Sequence, residues 1–147
     1  MGTMSTTIEV DRPAAEVFAY ATDPTKFAEW QKGVMDGSMD KPGPPTIGDR
    51  CRTTRRIGLA NRMVTSEIVH IDAPSTWSLK GVDGPIRAQV DLQVEPLSDA
   101  RSRLTISIAF EGHGIGRLIV PLIVEREARK EMPQNLAALR AQLEGAK

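Results

Sequence analysis

Residues 86–112 constrain the fold more tightly than any other part of the chain, because only one way of doubling them back satisfies both of their faces. The stretch IRAQVDLQVEPLSDARSRLTISIAFEG alternates apolar and polar residues on either side of a turn-forming LSDAR. Period-two alternation marks a strand with one buried face. Residues facing each other across an antiparallel pair have a constant index sum and share a face. A turn around LSDAR sets Val94, Leu92, Val90 and Ala88 opposite Leu104, Ile106, Ile108 and Phe110. On the other face the same choice sets Glu95 against Arg103 and Arg87 against Glu111. A slip of one residue would expose the apolar set and undo the charge matching, so this register is the expected one.

Such an apolar face has to be covered, and the remaining segments supply more sheet and the cover. STTIEVDR has the same period-two pattern through Ile8 and Val10. Pro13 suits a first helical turn and opens the stretch PAAEVFAYATD. Asp23-Pro24 repeats the device as N-cap and first helical residue of a second short helix carrying Phe27 and Trp30 on one side. From Val34 the pattern returns to strands, with a Pro/Gly-rich loop KPGPPTIGD. A loop at GLAN predicts Arg52 opposite Glu67 and Thr54 opposite Thr65. A two-residue Asp83-Gly84 turn predicts Leu79 opposite Ala88 and Trp77 opposite Val90. The sum is an α+β chain with a sheet of about seven antiparallel strands, two short helices after the first strand and a long helix at the end.

In the last helix Met132, Leu136, Leu139 and Leu143 form a single narrow stripe. Leu118–Val124, LIVPLIV, is instead apolar on every side, so it needs protein, a ligand cavity or a partner around it. Pro121 falls in the first turns, where its missing N–H costs little. Pro133 falls in the interior, where it deprives the Arg129 carbonyl of its partner and bends the axis.

At 147 residues the chain reads as one domain, 1–147, large enough to build a core without staples. Residues 1–4 are expected to lie outside the fold, with Met4 as the natural start. Cys51 is the only cysteine, which excludes an internal disulfide. Nineteen basic residues balance nineteen acidic ones, which argues against a general nucleic-acid or anionic-membrane binder. No apolar run spans a bilayer and no charged leader opens the chain, so a cytoplasmic location and no stable membrane insertion are expected. With two histidines and one cysteine at unrelated spacings, neither a metal site nor a cofactor is expected. EGHGIG at 111–116 lacks the G-x-G-x-x-G spacing of a dinucleotide loop and reads as a joint into the last helix.

The order of elements, together with IEVDRPAAEVFAYATDP, Glu29-Trp30, IVHIDAPSTWSL with its Asp72–Pro74 corner, and the ending NLAALRAQLE, resembles one superfamily. It is that of the polyketide cyclase/dehydratase-like families, shared with START domains and the birch-pollen allergen (SRPBCC). The resemblance covers nearly the whole chain. It implies a helix-grip fold, a curved sheet wrapped around the C-terminal helix, with a cavity between the two for an apolar ligand. Because the superfamily includes carriers, receptors, cyclases and chaperone regulators, it implies the fold more sharply than the activity.

The expected cavity wall consists of Phe27, Trp30, Ile68, Trp77, Ala88, Val90, Ile106 and Ile108, with Leu118 and Leu122 from the apolar run. Polar residues on that face are the informative exceptions. Strand alternation through RCRTTRRIG sends Arg50, Arg52 and Arg56 out and leaves Cys51, Thr53 and Arg55 inside. An inward Arg55 suits a ligand carboxylate or phenolate, since guanidinium is a planar fork of donors; a bulge would turn it to solvent instead. His70 is an acid or base candidate if it faces the cavity, and a small shift at the Asp72–Pro74 corner puts Ile71 inside and His70 out. Ser66 faces inward with no base beside it.

Three functions therefore compete. The first is binding of a small hydrophobic molecule, lipid-like or aromatic polyketide-like. The second is a cyclase or dehydratase using Arg55, His70 or Ser66. The third is a protein-interaction module, with a homodimer as its milder form.

Overall fold

A computed structural model describes residues 3–57, 59–115, 117 and 123–145. The elements run β1 (Thr3–Val10), α1 (Ala14–Ala21), a 3-10 turn (Pro24–Lys26), α2 (Phe27–Trp30), β2 (Val34–Met39), β3 (Arg50–Ile57), β4 (Ala60–Asp72), β5 (Thr76–Gly81), β6 (Ile86–Ser98), β7 (Arg101–Gly112) and α3 (Glu125–Gly145). All seven strands form one curved antiparallel sheet in the order β1-β7-β6-β5-β4-β3-β2. Strands β2 to β7 are a simple meander, and β1 closes the far side by pairing with β7. The two short helices carry the chain from one edge of the sheet to the other. Among the described residues no helix is long and apolar enough to cross a membrane.

Strands β6 and β7 pair in the register the alternation demands: Val94 faces Leu104, Leu92 faces Ile106, Val90 faces Ile108 and Ala88 faces Phe110. On the outer face Arg103 bridges Glu95 at 3.2 Å and Glu9 of β1 at 3.2 Å, so one guanidinium ties three strands. These exposed pairs fix register more than they add stability.

Two other hairpins differ from the sequence expectation by two positions. Arg50, not Arg52, faces Glu67, and Thr54 faces Met63, because pairing continues to Ile57 and Ala60 and leaves only two residues between the strands. Leu79 faces Val90 and Trp77 faces Leu92, because the β5–β6 connection is longer than a two-residue turn. Val82 N–H still bonds the Thr65 carbonyl there, and Asp83 accepts from Thr65 N–H. A shift of two leaves every side chain on its predicted face, so the inner surface is unaltered.

The first residues also depart from expectation. Thr3 already belongs to β1, and Met4 is buried against the core, so residues 3 and 4 are part of the sheet. Val10, Val17, Leu104 and Leu139 are fully buried and join β1, α1, β7 and α3 into one core. In α3 the described stripe is Met132, Leu136 and Leu139, with Leu143 partly buried. Pro133 lies inside the helix on its exposed side, where water can take the place of the missing N–H. At the other end, Asp11 N–H donates to Glu144 at 2.8 Å, anchoring α3 to the end of β1.

The helical layer is seated on β2 by a close approach. A Cβ placed at Gly37 would overlap the carbonyl of Pro24, so only glycine lets the 3-10 turn lie on this strand. Gly37→Ala is therefore expected to destabilise the protein by about 1–3 kcal/mol, read as a lower midpoint in urea unfolding. An unchanged midpoint would mean that the turn can lift off at no cost.

Cys51 is 2% exposed beneath the sheet's inner face, and desolvation pushes its thiol up to about 11. At pH 8 only about one thiol in a thousand is then ionised. Alkylation of the native protein at pH 8 is expected to run at least about 100-fold slower than in denaturant. Comparable rates would show the strand opening readily.

Candidate functional site

Between the inner face of the sheet and α3 lies a cavity of two joined compartments. The inner one, about 120 Å³, is walled by Ala21, Phe27, Trp30, Trp77, Leu92, Ile106 and Leu136. The outer one, about 190 Å³, adds Gly33, Arg56, Val64, Ser66, Ile86, Val124, Glu127, Ala128 and Glu131. Both touch Gln31, Arg55, Leu79, Ala88, Val90, Ile108, Phe110, Met132 and Asn135, which form the waist between them. Together the compartments fall at the lower end of the roughly 300–1,000 Å³ usual for ligand pockets.

The inner wall is aromatic on one side because α2 sets Phe27 and Trp30 one turn apart on its buried face. Phe27 meets Trp30 edge-on, with centroids 5.9 Å apart at 83°, and meets Trp77 of β5 at 6.4 Å and 75°. Perpendicular packing is what the ring quadrupoles favour. The Trp30 indole N–H is buried here with no acceptor among the described residues. Ala88, the smallest side chain on the sheet's inner face at this point, borders both compartments.

The waist is polar, and its polarity has one sign. Arg55 points inward from β3, as strand alternation requires. Its Nε donates to Thr53 Oγ1 at 3.2 Å and its Nη1 to Gln31 Oε1 at 3.2 Å. Nη2 has no protein partner among the described residues, and no carboxylate there lies within ion-pair distance of the guanidinium. Its neighbours on the adjoining strands are Val34 and Arg62. Burial pulls the Arg55 guanidinium below its ordinary value. No protein environment neutralises arginine, however, so the charge stays and its desolvation weighs on stability.

Gln31 and Asn135 complete the waist. Asn135 Oδ1 accepts the backbone N–H of Lys32 at 3.1 Å, linking α3 to the end of α2. Because both bonds come from obligate donors, the amide orientations are fixed: each carbonyl oxygen faces protein and each NH₂ is left over. Arg55 Nη2, Gln31 Nε2 and Asn135 Nδ2 thus have no partner among the described residues, while each amide oxygen has one of its two lone pairs engaged.

Of the residues singled out in the sequence, Phe27, Trp30, Trp77, Ala88, Val90, Ile106 and Ile108 do line the cavity. Ile68 does not: it is sealed in the core at 2% exposure. Leu118 and Leu122 lie outside the described residues, as does Pro121. Ser66 borders the outer compartment without a base beside it. His70 is removed from the site altogether. A bulge between Ile68 and His70 turns its ring to the exposed surface, where Nε2 and Thr76 Oγ1 lie 2.7 Å apart. Gln31 and Asn135 were missed, since nothing local in the sequence marks an amide whose oxygen is engaged elsewhere.

Solved structures with this architecture are numerous. A START superfamily protein from Mycobacterium smegmatis superposes with a TM-score of 0.78 at 15% identity, covering 99% of each chain. The Zhui aromatase/cyclase from Streptomyces sp. R1128 gives 0.74 at 14% identity, covering 97% of this chain and 95% of that one. The di-domain ARO/CYC BexL of the BE-7585A biosynthetic pathway gives 0.73 at 20% identity. There the match takes in 98% of this chain and 47% of BexL, so this chain spans about half of that protein's length. At such identities the likeness is one of fold. No curated protein matches in sequence. The family model described as "Polyketide cyclase / dehydrase and lipid transport" matches residues 1–144, and the chain belongs to that family.

Proposed function

We propose that this protein binds a small apolar molecule, of the lipid or aromatic-polyketide kind, in the cavity between the sheet and α3. The observation that carries the reading is the waist. An inward arginine without a counter-ion among the described residues, flanked by amides with unpartnered N–H groups and set against an aromatic inner wall, is suited to an anionic group on an apolar guest. Membership of a cyclase, dehydrase and lipid-transport family supports the same reading. Among the described residues around the void, Ser66 has no hydrogen-bonded base, and that favours binding over catalysis.

A neutral probe tests the cavity without testing its charge. Toluene titrated into the protein is expected to shift the indole and ring NMR signals of Trp30, Trp77 and Phe27. Native mass spectrometry of freshly purified protein is expected to retain a stoichiometric small molecule. Ala88→Leu fills the space shared by both compartments and is expected to weaken toluene binding at least about tenfold with the fold intact, a loss of about 1.4 kcal/mol. Unmoved wall signals together with a bare mass would exclude a ligand cavity.

A further inference from the structure

The architecture of the cavity narrows the ligand class, and this inference rests on the binding role just proposed. An apolar cavity of about 150 Å³ takes a benzene-sized guest. The inner compartment, at about 120 Å³, has room for one ring and not for a fused polycycle or a long acyl chain. Its walls present aromatic edges and faces through the perpendicular Phe27, Trp30 and Trp77, which suits a flat aromatic guest.

Immediately outside the ring position comes the waist, where Arg55 Nη2, Gln31 Nε2 and Asn135 Nδ2 offer N–H donors and one of them is cationic. A neutral amide or alcohol could use these donors but would leave the guanidinium without a counter-charge. A carboxylate brings acceptors only, with up to four lone-pair directions, and supplies the missing charge. Beyond the waist the outer compartment carries two carboxylates, Glu127 and Glu131, against the one cation Arg56, a balance that disfavours a second negative charge on the far end of the guest. We infer that the ligand is a single-ring aromatic monocarboxylate, its ring between Phe27, Trp30 and Trp77 and its carboxylate on Arg55, Gln31 and Asn135.

Calorimetric titration of the full chain with benzoate, its neutral isostere benzamide and 9-anthracenecarboxylate tests this. Benzoate is expected to bind at least about tenfold more tightly than benzamide, and the three-ring acid more weakly than benzoate. Arg55→Met is expected to abolish the preference for benzoate over benzamide. Arg55→Lys keeps a point charge without the fork and is expected to retain part of the preference.

Benzamide binding as tightly as benzoate, or the three-ring acid binding best, would overturn the assignment while leaving the toluene result and the cavity's binding role intact. If toluene fails as well, both readings fall together. A preference that survives Arg55→Met would place the anion elsewhere and equally overturn the inference.

Discussion

Everything in this molecule depends on the apolar inner face of the β6–β7 ladder. Four facing pairs, from Val94–Leu104 to Ala88–Phe110, create a surface that water cannot be left touching, and the rest of the chain is disposed to cover it. Neighbouring strands extend it, α1 and α2 close one part, and the Met132–Leu139 stripe of α3 closes another. The cover is tight around Leu104 and Leu139, both fully buried, and looser toward Ala88 and Phe110, which are partly exposed. That graded fit is what leaves a cavity in one half of the interior and a sealed core in the other.

The cavity's chemistry follows from where polar residues were placed on an apolar surface. Arg55 is part-buried and donates to Thr53 and Gln31, but no carboxylate among the described residues balances its charge. Its place beside the aromatic and aliphatic inner compartment marks the waist as the polar end of the site. The flanking amides reinforce this, because Lys32 and Arg55 hold their oxygens and leave their N–H groups directed to the remaining space.

How much of this could be read from the sequence depended on whether two independent signals met at the same residues. For β6 and β7, hydrophobic alternation and charge matching agreed, and the register followed without ambiguity. For β3–β4 and β5–β6 only turn chemistry was available, and it misjudged the loop lengths by two, an even number that preserved the faces and therefore most of the cavity wall. For His70 the alternation left two arrangements open, and a bulge between Ile68 and His70 selects the one with Ile71 inside and His70 out. Gln31 and Asn135 were invisible for a different reason. Their role is defined by bonds to residues 24 and 103 positions away, and an amide in a sequence does not announce which of its two ends is engaged.

Strand β1 has a single neighbour, and that neighbour is the last strand of the sheet: Ser5 meets Ser107 across 102 positions. At a synthesis rate of about 5–20 residues per second, the first strand waits roughly 5–20 seconds on the ribosome before its partner exists. An ordinary Val/Ile-rich strand would be an aggregation hazard over that interval. This one carries Thr3, Ser5, Thr6 and Thr7 around a single apolar Met4 and keeps its β-branched apolar residues, Ile8 and Val10, for the end that leads into α1. Its hydroxyls make it tolerable to water while single, and two of them, on Ser5 and Thr7, later bond their counterparts on β7. The composition of the strand is thus suited to two successive surroundings, the exposed nascent chain and the finished sheet.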